Sequence, residues 1–305
     1  DGTRRLLHAC KRAGVRRVLL ASTSGTIAIS READPIPDES WPYPVDLCGE
    51  WPYYLSKIYQ EKLALELAPK LGLELVVVNP SLLLGPGDRR GSSTMDVRRF
   101  LCNEIPAVPA GGINFVDVRD VAPACVAAME RGRNGQRYLL GGMNWTFAEF
   151  LGRLGRIARM DGPWLKLPSR WNRLFEGAVK AVDELYRHRG QTSPIERISF
   201  EMSQHYWYCD SSLAMRELGF ATRDPAETLD DYVTLVGAVE GAHLDRSPLP
   251  VCEGQEVLHV GAIEPEARRD PEVSKRIAGD PEQLAPQARI RAADVHDGIA
   301  AQDVQ

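Results

Sequence analysis

The sequence predicts an α/β fold whose centre is a parallel sheet. Residues 18–21 are an apolar run followed by small hydroxyl residues and a glycine, which is typical of a buried parallel strand that stops at the edge of a sheet. Residues 73–78 repeat this pattern, and Pro80 then prevents the strand from continuing. Apolar residues over residues 53–71 predict a helix between the two strands. A strand, a helix and a second strand in this order form the crossover that joins parallel strands.

The start of the predicted helix carries the most informative residues of the chain. Pro52 is expected to open the helix, because proline is favoured in a first turn. The i,i+4 spacing then puts Tyr53 and Lys57 on one helix face, one turn apart. A tyrosine has a reference pKa near ~10, and a nearby ammonium lowers that pKa. The pair therefore indicates acid–base catalysis, and a surface turn with a lysine draped over an aromatic ring is the alternative.

Hydrophobic patterns predict further helices and strands along the chain. The predicted helices cover residues 95–105, 121–129 and 147–158, and the predicted strands cover residues 115–118 and 137–142. Residues 163–188 have an amphipathic helical pattern rich in tryptophan and leucine. Residues 205–210 are largely aromatic, and we predict a packed strand there rather than an aromatic binding surface.

Composition sets the broad class of the protein. A chain of 305 residues with 44% hydrophobic residues predicts about two domains with a sizeable core. Residues 241–305 contain 12 of the 42 acidic and 7 of the 37 basic side chains but no aromatic residue, so we predict an acidic, disordered tail. The six cysteines are scattered, as expected for reduced thiols. Neither a signal peptide nor an apolar stretch of about 20 residues is visible, so we expect no membrane partner and a cytoplasmic location.

Three other function classes are disfavoured by the sequence. The basic residues within positions 4–17 have no interleaved aromatic residues, and the rest of the body is neutral, which argues against nucleic-acid binding. No group of histidine, cysteine and acidic residues has metal-ligand spacing, so we expect no metal site. Thr23 and the serines beside it lack a His/Asp partner at a recognisable elbow, which argues against a hydrolase.

Four segments together resemble a known family, the extended short-chain dehydrogenase/reductases, also described as the NAD-dependent epimerase/dehydratase family. They are, in chain order, Ser-Thr-Ser-Gly-Thr at residues 22–26, Tyr53-x-x-x-Lys57 with Ser56 and Glu61, residues 79–88, and residues 115–122. The first segment and Asp38-Glu39-Ser40 look most like the dihydroflavonol-reductase and 3β-hydroxysteroid-dehydrogenase branch. The resemblance covers about residues 1–238. It implies a three-layer Rossmann-like parallel sheet in residues 1–160 and a small C-terminal substrate lobe in residues 161–240.

One hallmark of the resembled family has no counterpart in this sequence. Such enzymes begin with a strand, a Gly-x-x-Gly-x-x-Gly turn and a helix whose N-terminus receives the cofactor pyrophosphate. No such turn occurs here, and residues 2–14 resemble the family's helix before the strand with the catalytic hydroxyl. We therefore expect an N-terminally truncated Rossmann-like domain that lacks about its first third. We also expect the printed chain to bind NAD(P) weakly and to be inactive.

The resemblance implies an NAD(P)-dependent oxidoreductase that transfers a hydride between nicotinamide and a carbonyl or alcohol of a small organic substrate. Tyr53 would exchange the proton, Thr23 would hydrogen-bond the same substrate oxygen, and Lys57 would bind the nicotinamide ribose and lower the Tyr53 pKa. The implied cofactor-binding residues are Tyr53, Lys57, Pro80, Ser81 and Leu82. The family also implies a homodimer.

Two alternatives to this function remain open at the level of sequence. A sugar-nucleotide epimerase or dehydratase would use the same Tyr/Lys pair, and Arg119, Arg137 and Arg187 are available to bind its nucleotide diphosphate. An inactive remnant would keep the pair by descent after losing the dinucleotide site.

Overall fold

The computed structural model describes residues 2–239, apart from several gaps. The gaps are at 87, 89–93, 103, 106, 161–164, 167–176, 178, 180, 183, 187 and 190–196. The predicted tail at 241–305 lies wholly outside the described residues, and most of the predicted helical segment at 163–188 lies outside them as well.

Helices and strands alternate over most of the described chain. The helices are α1 (Gly2–Arg12), α2 (Pro52–Lys70), α3 (Met95–Leu101), α4 (Val118–Arg131), α5 (Phe147–Ala158), α6 (Arg197–Met202), α7 (Ser212–Leu218) and α8 (Pro225–Val239). The strands are β1 (Arg17–Ala21), β2 (Glu74–Pro80), β3 (Leu82–Leu84), β4 (Ala107–Val108), β5 (Gly112–Asp117), β6 (Arg137–Leu140), β7 (Met143–Thr146), β8 (Leu165–Lys166) and β9 (Tyr206–Trp207). A short 3₁₀ helix covers Ser24–Thr26.

The central sheet is parallel, in the order β1–β2–β6. One face packs against α1 and α2 through residues that include Leu7, Ala64 and Leu75. The other face packs against α4 and α7 through residues that include Val121 and Leu218. Because helices cover both faces, the predicted three-layer α/β arrangement is confirmed.

A second sheet is built around β5. This strand pairs in parallel with β3 and with β9, and antiparallel with β7. Its core lies against α5 and α8 and contains Phe115, Trp145, Phe150 and Tyr232. The segment predicted to be a packed strand at residues 205–210 contributes β9 to this sheet.

Most predicted elements differ from the observed ones by a few residues at their ends. Pro52 opens α2 as expected, and α5 has the predicted bounds. The helix predicted over residues 95–105 ends earlier, at Leu101, and β5 begins before its predicted start at residue 115. None of the helices within the described residues is long and apolar enough to cross a membrane.

Candidate active site

A short 3₁₀ helix follows the end of β1, and one hydroxyl side chain at this junction is partly exposed. Thr23 lies just before this helix, in extended conformation, and its Oγ1 accepts a hydrogen bond of 3.3 Å from the Gly25 backbone N–H. Thr23 is partly exposed, whereas Ser22 and Ser24 are buried. Since β1 ends at Ala21, the alternation of strand side chains does not extend through these three residues.

The first two turns of α2 carry the tyrosine and the lysine. Tyr53 is 43% exposed, and its ring meets that of Tyr54 edge to face with centroids 5.0 Å apart. The Tyr53 carbonyl accepts a hydrogen bond of 2.7 Å from Ser56 Oγ. Lys57 is partly exposed, and no hydrogen bond or ion pair holds its ammonium among the described residues.

The pKa of Tyr53 moves in the direction opposite to the one expected from the sequence. Burial of the phenol raises this pKa above its ordinary value of 10.0, because desolvation disfavours the phenolate. The predicted lowering by Lys57 is therefore wrong for the side-chain arrangement in this structure. At neutral pH the phenol keeps its proton, as a proton donor must.

Beneath these residues lies a buried carboxylate, Glu61, whose side chain is fully shielded from solvent. Its Oε2 accepts hydrogen bonds from Ser22 Oγ at 2.7 Å, Thr26 Oγ1 at 3.0 Å and Asn79 Nδ2 at 3.0 Å. Its Oε1 accepts from the Tyr43 hydroxyl at 3.2 Å. The hydroxyl-rich end of β1 is thus tied both to the end of β2 and to α2.

The charge of Glu61 faces one arginine. Arg137 Nη1 lies 3.6 Å from Glu61 Oε1, and the Arg137 guanidinium sits over the Tyr43 ring, 4.9 Å from its centroid. The sequence shows Glu61 only as part of the Tyr/Lys motif and indicates no role for it. The available signal was its spacing, since Tyr53, Lys57 and Glu61 recur every four residues on one helix face.

The residues predicted to line the nicotinamide end of the cofactor site lie at the end of β2 and the start of β3. Pro80 and Ser81 are buried, and Leu82 is partly exposed. The Ser81 backbone N–H donates to the Leu140 carbonyl at 3.1 Å. Its side-chain Oγ is buried and has no hydrogen-bond partner within the described part of the chain. A buried hydroxyl without a partner is costly unless something binds to it, so this atom fits a polar group of a ligand.

A cleft of about 440 Å³ runs along the outer edge of β1. Val18, Leu19 and Leu20 all line it, although successive strand residues point to opposite faces, so the cleft borders the edge of the strand. On this edge β1 has no strand partner among the described residues. Lys57 and Gln60 form the wall of the cleft on the α2 side.

Two of the three arginines considered for a nucleotide diphosphate are engaged within the protein. Arg119 donates to the buried Asp117 carboxylate, with its Nη2 2.7 Å from Asp117 Oδ2, and it also pairs with Asp231. Arg137 donates to the Glu39 carbonyl at 2.7 Å in addition to facing Glu61. Arg187 lies outside the described residues.

Aromatic side chains surround Tyr54, next to Tyr53. Trp207 lies against Tyr54 with ring centroids 5.0 Å apart, and Trp51 contacts both rings. Trp207 Nε1 donates to the Met202 carbonyl at 3.0 Å, and His205 Nδ1 lies 2.9 Å from the Glu201 carbonyl. These contacts support the packing role predicted for residues 205–210.

Two pairs of adjacent glycines, Gly111–Gly112 and Gly141–Gly142, allow close packing. A side chain at Gly111 would meet the His205 carbonyl, and one at Gly112 would meet the Tyr208 ring. A side chain at Gly142 would meet the Phe115 carbonyl. These positions need glycine because another part of the chain lies directly against them.

Comparison with known proteins places this geometry in a family. The sequence pattern of the NAD dependent epimerase/dehydratase family matches residues 1–141. A putative dihydroflavonol 4-reductase of Synechocystis sp. is 31% identical over 244 residues, in a match covering 76% of this chain and 67% of that protein. Sterol demethylase protein B of Methylococcus capsulatus is 30% identical over 235 residues, covering 76% and 70% respectively. The crystal structure of gox2253 is similar with a TM-score of 0.65 and 28% identity, covering 78% of this chain and 71% of that one.

These matches confirm the predicted family, its Rossmann-like fold and its dependence on NAD or NADP. The name of the Synechocystis relative agrees with the predicted dihydroflavonol-reductase branch. The chain belongs to the NAD-dependent epimerase/dehydratase family of extended short-chain dehydrogenase/reductases and is an NAD(P)-dependent enzyme of the oxidoreductase type.

Proposed function

We propose that the protein transfers a hydride between NAD(P) and a carbonyl or alcohol of a small organic substrate, with Tyr53, Lys57 and Thr23 as its catalytic residues. The observation that carries this proposal is the junction between the end of β1 and the start of α2. At this junction a side chain at Gly25 would overlap the Tyr54 ring, so the turn that holds Thr23 touches the residue next to Tyr53.

Tyr53 is the proton donor of the reduction. Negative charge grows on the carbonyl oxygen as the hydride arrives, and a protonated phenol nearby neutralises it. The raised pKa of Tyr53, caused by burial, keeps the phenol protonated at neutral pH. Its 43% exposure leaves the ring accessible to a substrate.

Thr23 holds the same substrate oxygen. Its Oγ1 accepts the Gly25 N–H, so its own hydroxyl hydrogen is available to donate. Ser22, its neighbour, already donates to Glu61 and is buried, which favours Thr23 for this role.

NAD(P), when bound, supplies the hydride in reduction and accepts it in oxidation. We assign the ribose contact to Lys57, whose ammonium has no partner among the described residues. Pro80, Ser81 and Leu82 line the nicotinamide end of the site. Ser81 Oγ, for which the described residues offer no hydrogen-bond partner, fits the carboxamide group.

The test measures turnover and cofactor binding in single variants of the protein, expressed with every residue that its gene encodes. NADH and NADPH are supplied with a panel of aliphatic and aromatic aldehydes and ketones. Tyr53→Phe is expected to lower kcat by about 10²–10⁴-fold with nearly unchanged cofactor affinity, because only the transferred proton is lost. Lys57→Ala is expected to lower both kcat and the affinity for the cofactor. Tyr59→Phe, at an exposed position on the same helix, is the matched control.

Wild-type turnover in Tyr53→Phe would contradict the proposal, and Tyr54 would then be the next residue to substitute. The sugar-nucleotide alternative has less support, because Arg119 and Arg137 already hold carboxylates within the protein. The same panel, extended with nucleoside-diphosphate sugars, separates the two functions.

The homodimer and the cytoplasmic location belong to the same proposal. Leu6 on α1 is 61% exposed, and an exposed apolar residue on a helix is suited to contact a second copy. Sedimentation at several concentrations tests the dimer, and cell fractionation tests the location.

A further inference from the structure

We propose that Glu61 is a positioning residue, which holds the backbone of Thr23 at a fixed place relative to the helix that carries Tyr53 and Lys57. This inference rests on the proposed function, because it concerns the alignment of the same three groups. Glu61 itself lies fully buried and acts only through other residues.

The connection from Glu61 to Thr23 passes through two side chains. Asn79 Nδ2 lies 3.0 Å from Glu61 Oε2 and 3.1 Å from the Thr23 carbonyl oxygen. Thr26 Oγ1 lies 3.0 Å from Glu61 Oε2 and 2.9 Å from the same carbonyl oxygen. Asn79 Nδ2 also lies 2.9 Å from Thr26 Oγ1, so three acceptors share the two hydrogens of the Asn79 amide. The single hydroxyl hydrogen of Thr26 serves either Glu61 or the Thr23 carbonyl at a time.

A carboxylate is the side chain that fits this place. Four donors converge on it, from Ser22, Thr26, Asn79 and Tyr43, and a carboxylate accepts at both oxygens and donates at neither. Arg137, 3.6 Å away, supplies the opposite charge. An amide in place of the carboxylate would turn one acceptor into a donor and face it towards another donor or a guanidinium.

The helix transmits the position of Glu61 to the catalytic pair. Tyr53, Lys57 and Glu61 are spaced by four residues on α2, so they share one face of a rigid element. Fixing Glu61 to Thr26 and Asn79 therefore fixes the relation between the Thr23 hydroxyl and the Tyr53 phenol. Misplacement by about 1 Å is enough to cost roughly 10²-fold in rate.

The first experiment compares Glu61→Gln with Glu66→Gln in the protein expressed with every residue that its gene encodes. Glu66 lies on the same helix but is exposed and pairs only with Lys70 in the described chain, so it is the matched control. For Glu61→Gln we expect kcat to fall by about 10²-fold and the affinity for NADH to change by less than about threefold. Glu66→Gln is expected to match the wild type in both.

A second pair of variants separates positioning from general loss of a hydrogen bond. Thr26→Val and Ser22→Ala each remove one donor to Glu61, but only Thr26 also contacts the Thr23 carbonyl. We expect the fall in kcat to be about tenfold larger for Thr26→Val than for Ser22→Ala. Equal falls in the two variants would overturn the proposal, even if Glu61→Gln fails to fold.

Fluorine NMR of protein labelled with 3-fluorotyrosine gives a readout that does not need turnover. The Tyr54 signal, assigned by its loss in Tyr54→Phe, reports on the turn around Gly25 that the Tyr54 ring contacts. Glu61→Gln is expected to shift or broaden this signal at a temperature where the variant is fully folded. An unchanged Tyr54 signal together with wild-type kcat in Glu61→Gln would overturn the positioning role alone, whereas wild-type kcat in Tyr53→Phe would overturn the proposed function.

Discussion

The Tyr54 ring lies against the α-carbon of Gly25. A Cβ built at Gly25 would fall 2.6 Å from Tyr54 Cδ1 and 3.1 Å from Trp207 Cζ3. Gly25 follows the end of β1, and Tyr54 is in the first turn of α2, so this contact sets how closely the two elements approach. The glycine is needed here for space rather than for an unusual backbone angle.

Gly25→Ala is therefore expected to destabilise the protein and to move the first turn of α2. The added methyl group meets a ring that is itself held by Trp207 and Trp51, and overpacking of this kind costs roughly 1–3 kcal/mol. Urea unfolding followed by circular dichroism measures the change. Gly152→Ala is the control, because that exposed helical position has nothing within 4 Å and alanine favours helices. A Gly25→Ala variant as stable as the wild type would show that Tyr54 is free to move aside.

Thr23→Val is expected to lower the rate of turnover by about 10²-fold or more, the usual cost of losing one donor to a developing oxyanion. Valine keeps the shape of threonine, so the change reports on the hydroxyl group alone. Thr23→Ser keeps the hydroxyl and should remain active. Steady-state kinetics with a carbonyl substrate measures these rates. An inactive Ser24→Ala beside a Thr23→Val with wild-type turnover would assign the role to Ser24 instead.

The crossover from β1 through α2 to β2 was predictable because its signals are local. Apolar runs, the proline at the start of α2 and the polar residues after each strand lie within the elements that they specify. The bounds of α5 were predicted for the same reason, and its capping box of Thr146 and Glu149 fixes the first turn. In contrast, β3 and β7 are only three and four residues long and depend on pairing with β5. This pairing leaves no pattern in their own residues from which it could be predicted.

The candidate site was predictable only in part, for a similar reason. The spacing of Tyr53 and Lys57 is visible in the sequence, but the burial that raises the Tyr53 pKa comes from tertiary packing. The contacts of Glu61 with Asn79 and Arg137 join distant parts of the chain, and a sequence pattern gives no distance between them. Side chains that act across elements therefore emerge only from the structure.

Tyr43 is expected to make the stability of the protein fall at alkaline pH. Burial, followed by the charge of Glu61, raises the pKa of Tyr43 from 10.0 to about 12. Between these two values the unfolded chain releases the phenolic proton while the folded chain keeps it, so the free energy of unfolding decreases as pH rises. Tyr43→Phe should make this decrease less steep between about pH 10 and 12 in urea titrations. Tyr59→Phe, at an exposed position, is the control, and an equal change of slope in both variants would contradict the assignment to Tyr43.

Residues 1–305, expressed on their own, are expected to bind NADH weakly. Dinucleotide sites of this fold hold the pyrophosphate at a glycine-rich turn and a helix N-terminus, which supply backbone N–H donors and a favourable dipole end. The sequence contains no Gly-x-x-Gly-x-x-Gly turn, whereas the roles proposed for Lys57 and Ser81 concern only the nicotinamide end. The dissociation constant for NADH is therefore expected to lie above about 1 mM, equivalent to roughly 4 kcal/mol of binding free energy.

Reduced nicotinamide mononucleotide makes this expectation a sharp test, because it has the nicotinamide ribose but no adenosine half. If only Lys57 and Ser81 hold the cofactor, reduced nicotinamide mononucleotide and NADH bind with similar affinities in calorimetry. Lys57→Ala then lowers the affinity for the two ligands equally. Sedimentation is run on the same samples, because the edge of β1 that has no strand partner among the described residues can also pair with another chain. Micromolar binding of NADH to one site per chain, with adenosine diphosphate ribose as a competitor, would show that another segment of these 305 residues holds the pyrophosphate.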